Sequence, residues 1–295
     1  MIKPIACLGI CITLVIGGAA LADDSGPLVW AGCGITKKAF MSELATAYKR
    51  RYGVDIVLEG GGATKGIRRI SSNEVDIGGA CRPNLPGNPE EAGVTLVPVA
   101  WDALVVMVHK DNPVDDISMD QLRDLYDGRI TSWRQLGGPD RPIELLVRKG
   151  KISGVGRTLR ELVFNDTERE FVSKHVYPST GPLETALETN PNAIGVSGIS
   201  SALKRNVKLL KLEGHEPSYD NVRTGAYLLY RPLYIVTNAR NPRYREVRRF
   251  VDFAHTSEGR DIIRRAGAVP YLDALRLALK QREQWKAARS LDAPR

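Results

Sequence analysis

The chain has 295 residues, 43% of them hydrophobic, with a formal net charge of +8 and four cysteines. That length allows two lobes of ordinary domain size, each with its own core, and no repeat or low-complexity tract points to a solenoid or a disordered scaffold. The basic excess sits in runs such as Arg243-Tyr244-Arg245, Arg248-Arg249 and Lys280–Arg289, which read as solvated helix faces.

Residues 1–22 read as a cleaved secretory signal: Lys3, then apolar Ile5–Ile16, then Ala20-Leu21-Ala22 before Asp23. Cys7 and Cys11 leave with it, and Cys33 and Cys81 remain. No later stretch approaches the apolar length of a membrane span. The mature chain is therefore expected to be soluble, periplasmic and monomeric, and export argues against nucleic acid as a partner.

Strands and helices alternate along the rest. Strand Leu28–Ala31 leads to a helix near Lys37–Arg51, with Phe40, Met41, Leu44, Ala47 and Tyr48 at helical spacing. Strand Val54–Leu58, a short helix near Lys65–Ser71 and strand Val75–Gly79 follow. The proline- and glycine-rich stretch Pro83–Gly93 reads as a surface loop or lid. Thr95–Val99 and Leu104–Val108 read as two strands, the second apolar enough to be central. Ser118 and Gln121 form a capping box before a helix near Met119–Tyr126. Strand Ile143–Val147 and helix Thr158–Phe164 come next, then a helix near Leu183–Glu188 opened by Pro182. Short strands at Ala193–Val196, Val207–Leu212 and Leu233–Val236 precede helices near Tyr244–Ala254, Glu258–Ala266 and Leu272–Ala288. This alternation predicts an α/β fold, partly parallel, with ligand sites at strand carboxyl ends.

One device recurs three times: an apolar strand, a glycine-rich turn, then a helix. The turns are Gly32-Cys33-Gly34-Ile35-Thr36, Gly60-Gly61-Gly62-Ala63-Thr64 and Ser153-Gly154-Val155-Gly156. A helix start leaves backbone N–H groups unpaired and carries partial positive charge, so it receives an anion. Any one turn serves equally well as a tight connection. Three of them beside Lys37, Lys38, Lys65, Arg148, Lys149, Lys151 and Arg157 make a small-anion site the leading expectation.

Several segments resemble the periplasmic phosphate-binding proteins. Gly60–Ile67 followed by Val75-Asp76-Ile77-Gly78 resembles their glycine-rich turn and VDIG strand, and Lys110–Val114 their KDNPV segment. Leu122–Trp133 is similar to LRDIFTGKITNW, Asn192–Val196 to GAIGY, and Arg231–Tyr234 to RPLY. The motifs keep the family order from about Leu28 to Tyr271. The resemblance implies a two-lobed type II periplasmic binding protein, with mixed sheets flanked by helices and a cleft between lobes. Lobe 1 would hold 27–106 plus 237–295, and lobe 2 would hold 107–236. It further implies capture of a small inorganic anion, phosphate or a related oxyanion, for an ABC permease, with no cofactor and no catalysis. Ligand contacts would come from Cys33, Gly34, Ile35 and Thr36, from Ala63, Thr64 and Lys65, and from Cys81 and Arg82. Arg148, Lys149, Ser153, Gly154, Val155 and Arg157 would complete the set.

The departures from the family pattern lie in the same places. Cys33 and Ala63 stand where the family has serine, Cys81 where it has serine or aspartate, and Ser153-Gly154-Val155-Gly156 replaces Ser-Gly-Thr-Arg, displacing Arg157 by one. Each charge-assisted hydrogen bond lost to a buried phosphate costs about 1.5–3 kcal/mol. In this fold class the strands ahead of Cys33 and Cys81 are neighbours, so a Cys33–Cys81 disulfide is the expectation in an oxidising compartment. A soft-metal or thiol-reactive site, or two separate polarizable lining groups, are the alternatives. With them goes a second functional reading: a membrane-docking sensor, metallochaperone or redox accessory protein. His109, His175, His215 and His255 are scattered, and none has metal-ligand spacing to another. Trp30, Trp101 and Trp133 read as core, and Asp76 as a turn residue or an orienting group.

Overall fold

The computed structural model describes residues 26–290; the expected signal at 1–22, with Cys7 and Cys11, lies outside them. The strands are β1 (Leu28–Gly32), β2 (Ile56–Glu59), β3 (Ile77–Ala80), β4 (Thr95–His109), β5 (Asp116–Ile117) and β6 (Glu144–Arg148). They continue with β7 (His175–Tyr177), β8 (Ala193–Gly198), β9 (Val207–Leu209), β10 (Lys211–Leu212), β11 (Tyr230–Thr237) and β12 (Val269–Pro270). The helices are α1 (Gly34–Thr36), α2 (Ser42–Tyr52), α3 (Gly62–Ser71), α4 (Met119–Tyr126), α5 (Gly154–Leu159) and α6 (Thr180–Thr189). After these come α7 (Ile199–Ala202), α8 (Tyr219–Thr224), α9 (Tyr244–His255), α10 (Ser257–Arg265) and α11 (Arg276–Ser290).

Eight strands run in the order β2-β1-β3-β11-β4-β8-β6-β7. β1, β2 and β3 are mutually parallel, β11 is antiparallel to β3 and β4, and β6 is parallel to β7 and β8. One long strand joins the two halves. Along Thr95–Ala103, β4 pairs with β11; from Leu104 onward it pairs with β8. The two strands expected over this stretch are therefore one, and its change of partner at Ala103/Leu104 falls between them. The expected Val207–Leu212 strand is instead split into β9, on β4, and β10, on β5.

Helices cover both faces of this mixed sheet. On α9, Val247, Phe250, Val251 and Ala254 are buried at i, i+3, i+4 and i+7, the spacing of one helical face. Phe250 and Phe253 close on Tyr48 of α2, with ring centroids 5.1 and 5.4 Å apart, tying the N- and C-terminal segments together. Trp30, Trp101 and Trp133 are fully buried, as the sequence predicts. Trp30 also explains Gly79: any Cβ there would overlap its indole ring. Asp76 is an orienting group within the fold, accepting the Val29 N–H at 2.8 Å. The Ser118–Gln121 capping box is formed in both directions and starts α4 at Met119.

Candidate functional site

Because β1, β2 and β3 are parallel, their carboxyl ends share one edge, and the three turns that follow converge there. The ends of β6 and β7 meet them from the other half. Between the halves lies a cavity of about 540 Å³, lined by Cys33, Gly34, Ile35, Gly60–Thr64 and Cys81 on one wall. Arg148, Lys149, Ile152–Val155 and Pro178–Gly181 form the other wall, with Lys38 and Ser201 between them. None of its lining residues is acidic.

Each turn is built by its own local chemistry. Cys33 caps α1: the Thr36 N–H reaches its Sγ at 3.4 Å, the role a serine hydroxyl fills in most caps. Gly61 and Gly62 adopt φ of 135° and 85°, which a side chain would resist. Ser153 caps α5 by accepting the Gly156 N–H at 3.2 Å. α1 passes through a π turn at Lys37–Met41 into α2, so the helical segment starts at Gly34 rather than Lys37.

Arg148, half-buried at the end of β6, is the cation set deepest in the second wall. Its guanidinium is fixed by the Thr180 hydroxyl at 2.5 Å and the Pro178 carbonyl at 2.9 Å. Burial pulls its pKa down, while Cys81 and Cys33 nearby push it up. Beneath the floor, the buried pair Arg231–Asp102 closes at 3.1 Å, and Arg231 also donates to the carbonyls of Cys81 and Gly154. Lys38 bridges the halves, with its Nζ 2.8 Å from Ser201 Oγ and 3.2 Å from Glu184.

Cys33 and Cys81 are free thiols, not the expected disulfide. Both are buried against the cavity, near enough for each to shift the other's ionisation. Burial, with Cys81 beside it, raises the Cys33 thiol well above its ordinary range. The hydrogen bond from Cys33 lowers Cys81 to about 6, aided by the Arg231 charge. Gly154 makes room for this arrangement, since a Cβ there would overlap Cys81 Sγ.

Four expected contacts lie elsewhere. Arg82 is fully buried and spent on structure: it forks onto Glu91 at 2.7 and 2.8 Å and donates to Ile152 O, Pro83 O and Thr64 Oγ1. The Pro83–Gly93 stretch, expected to be a surface loop or lid, folds back to deliver that carboxylate. Arg157 pairs with Glu161 at 2.9 Å, away from the cavity. Thr36 is buried with its hydroxyl donated to Cys33 O at 2.9 Å, and exposed Lys65 lays its stem over Gly61. The remaining expected residues line the cavity. A hollow of about 650 Å³ on the outer face of α3 is a different feature, crossed by Arg68–Glu90 and Arg69–Glu74 ion pairs.

The sequence reading missed Ser179, Thr180, Gly181 and Ser201, and named Lys38 only as a flanking charge. The first three repeat the strand–turn–helix device a fourth time, between β7 and α6. It stayed hidden because β7 is not among the expected strands and α6 begins at Thr180, two residues before Pro182. Among the described residues, no group of three or more His, Cys, Asp or Glu side chains could hold a metal ion.

Two α/β halves joined by a crossing strand, with a cation-lined cleft where their strand ends meet, define a two-lobed binding protein. The PBP superfamily domain model matches residues 24–258, and the chain belongs to that superfamily. It is 24% identical over 255 residues to the phosphate-binding protein PstS of Borreliella burgdorferi, covering 83% of this chain and 90% of the relative. PstS of Bacillus subtilis is 27% identical, over 70% and 68% of the two chains. A putative phosphate ABC transporter substrate-binding protein from Clostridium perfringens, solved with bound phosphate, superposes with a TM-score of 0.77 at 29% identity. That match covers 83% of this chain and 99% of the other.

Proposed function

We propose that this chain is an extracytoplasmic solute-binding protein that captures phosphate or a related oxyanion in the cleft and hands it to an ABC permease. The observation that carries the reading is the lining itself: Lys38, Arg148 and Lys149 face a cavity without a single acidic side chain. The phosphate-binding relatives support it, and they favour transport over the sensor, metallochaperone or accessory reading. Capture rests on backbone N–H groups at the turns after β1 and β2 and on Arg148, and it needs no catalytic step. No helix among the described residues is long and apolar enough to cross a membrane.

Lobe closure would exclude water from the bound ion. We place one lobe at 27–106 plus 237–295 and the other at 107–236, with two adjustments drawn from pairing. The outward crossing belongs at Ala103/Leu104, inside β4, and the return crossing before Tyr230, because β11 pairs with β3. Calorimetric titration of the reduced mature chain with phosphate, arsenate and sulfate tests the function. Binding of at least one, weakened in Arg148→Ala, is expected; no heat from any of them would defeat the oxyanion reading.

A further inference from the structure

The two thiols answer a question that the cations leave open, namely which small oxygen-bearing solute this cleft prefers. β1 and β3 are hydrogen-bonded neighbours paired at Gly32↔Gly79, so the residues just beyond their ends emerge side by side. Those residues are Cys33 and Cys81; both line the cavity, and the Cys33 N–H donates to Gly79 O at 3.1 Å, which holds the two strand ends together. A thiol is a weak hydrogen-bond donor, so two of them make a poor surface for a tetrahedral phosphate. They are a good surface for a centre that bonds sulfur.

The surroundings narrow the class. A soft metal cation entering here would meet Lys38, Arg148 and Lys149 on the walls and Arg231 beneath Cys81. The nearby carboxylates offer no relief: Asp102 is held by Arg231, and Glu184 by Lys38 and Arg205. The field therefore opposes a cation and admits a neutral or anionic solute. Resting on the solute-binding reading above, we propose that the cleft selects a trivalent arsenic or antimony hydroxide, bonded through Cys33 and Cys81.

The bonding step balances without any redox partner. In As(OH)₃ two As–O bonds break and two As–S bonds form, and the two hydroxyls leave as water with the two thiol protons. Where Cys81 is already ionised, its proton comes from solvent. Arsenic stays trivalent, and one hydroxyl remains, facing a cavity that Ser153 and Arg148 also line.

The test is a parallel titration of the reduced mature chain with sodium arsenite and with phosphate, read by native mass spectrometry, thiol counting and small-angle scattering. One arsenic per chain, loss of both countable thiols, compaction, and an arsenite affinity at least about tenfold above that for phosphate are expected. Cys33→Ser and Cys81→Ser should each weaken arsenite about 100-fold, while Lys65→Ala should not. The thiol count on the unaltered chain stands even if a cysteine variant fails to fold. Phosphate compaction without an arsenic adduct would overturn this inference and leave the solute-binding reading in place. Response to neither ligand would overturn both. An adduct without compaction would mark an adventitious dithiol and overturn the inference.

Discussion

The two walls of the cleft carry different chemistry. The wall from β1, β2 and β3 offers glycine turns and two thiols, whereas the wall from β6 and β7 offers Arg148, Lys149 and the hydroxyls of Ser153, Ser179 and Thr180. Charge attraction works over a long range and is indifferent to the ligand's identity; short contacts to sulfur or hydroxyl are not. The comparison assigns long-range charge attraction to the second wall and discrimination to the first, with capture completed by both. It also separates two arginines that look alike in sequence. Arg148 faces the cavity, while Arg82 is turned inward to Glu91.

The largest expected effect breaks that pair of arginines apart. Arg82→Ala strips a fully buried carboxylate of its bidentate partner, leaving it only the longer ion pair to Arg68 at 3.7 Å, and denaturant unfolding should show a loss of about 3–5 kcal/mol. A small loss of stability joined to a large loss of anion affinity would put Arg82 back in the site. Arg148→Ala should do the reverse. Its fold should persist, while calorimetry should find anion affinity lower by about 1.5–3 kcal/mol, roughly ten- to hundredfold.

The thiol wall has a pH signature. Folded Cys81 gives up its proton near 6, whereas the unfolded chain holds it to near the ordinary 9.0, so the unfolded state binds more protons in between. Stability from this group should be complete above about 9 and lost as pH falls through 6. Cys33, raised by burial, works oppositely and should erode stability above its ordinary value. Thiolate ultraviolet absorbance should show one sulfur titrating near 6 and the other far above 9; two ordinary titrations would remove the contrast between walls. Ser153→Ala, which loses the α5 cap, should cost about 1 kcal/mol of stability by thermal unfolding. Lys65→Ala, exposed and outside the cavity, should change anion binding least in calorimetry.

Much of this was legible in the chain itself. Periodicity and caps located the longer helices within a few residues, and α4 to the residue, because the Ser118 and Gln121 side chains each accept the other's backbone N–H; the short α7 and α8 were not read. The glycine turns were visible because positive φ demands glycine at Gly61 and Gly62. What stayed hidden depends on distant partners. Nothing local in Arg82 reveals that Glu91 returns to it; Arg157 pairs with Glu161 only four residues on, and that pair was missed because the helix was expected to start at Thr158 rather than Gly154. The unity of β4 was masked because its halves serve different neighbours. The state of Cys33 and Cys81 was likewise beyond sequence: adjacency of β1 and β3 predicts contact, and contact suits a hydrogen bond as well as a bridge. Cys33 is further engaged as the α1 cap.

Scattering from the reduced mature chain, with phosphate, arsenate, sulfate and arsenite added in turn, tests the central claim most directly. Compaction with at least one of these solutes, and its loss in Arg148→Ala, is expected. An unchanged radius of gyration with all four, or compaction that survives in Arg148→Ala undiminished, would contradict capture between the two walls.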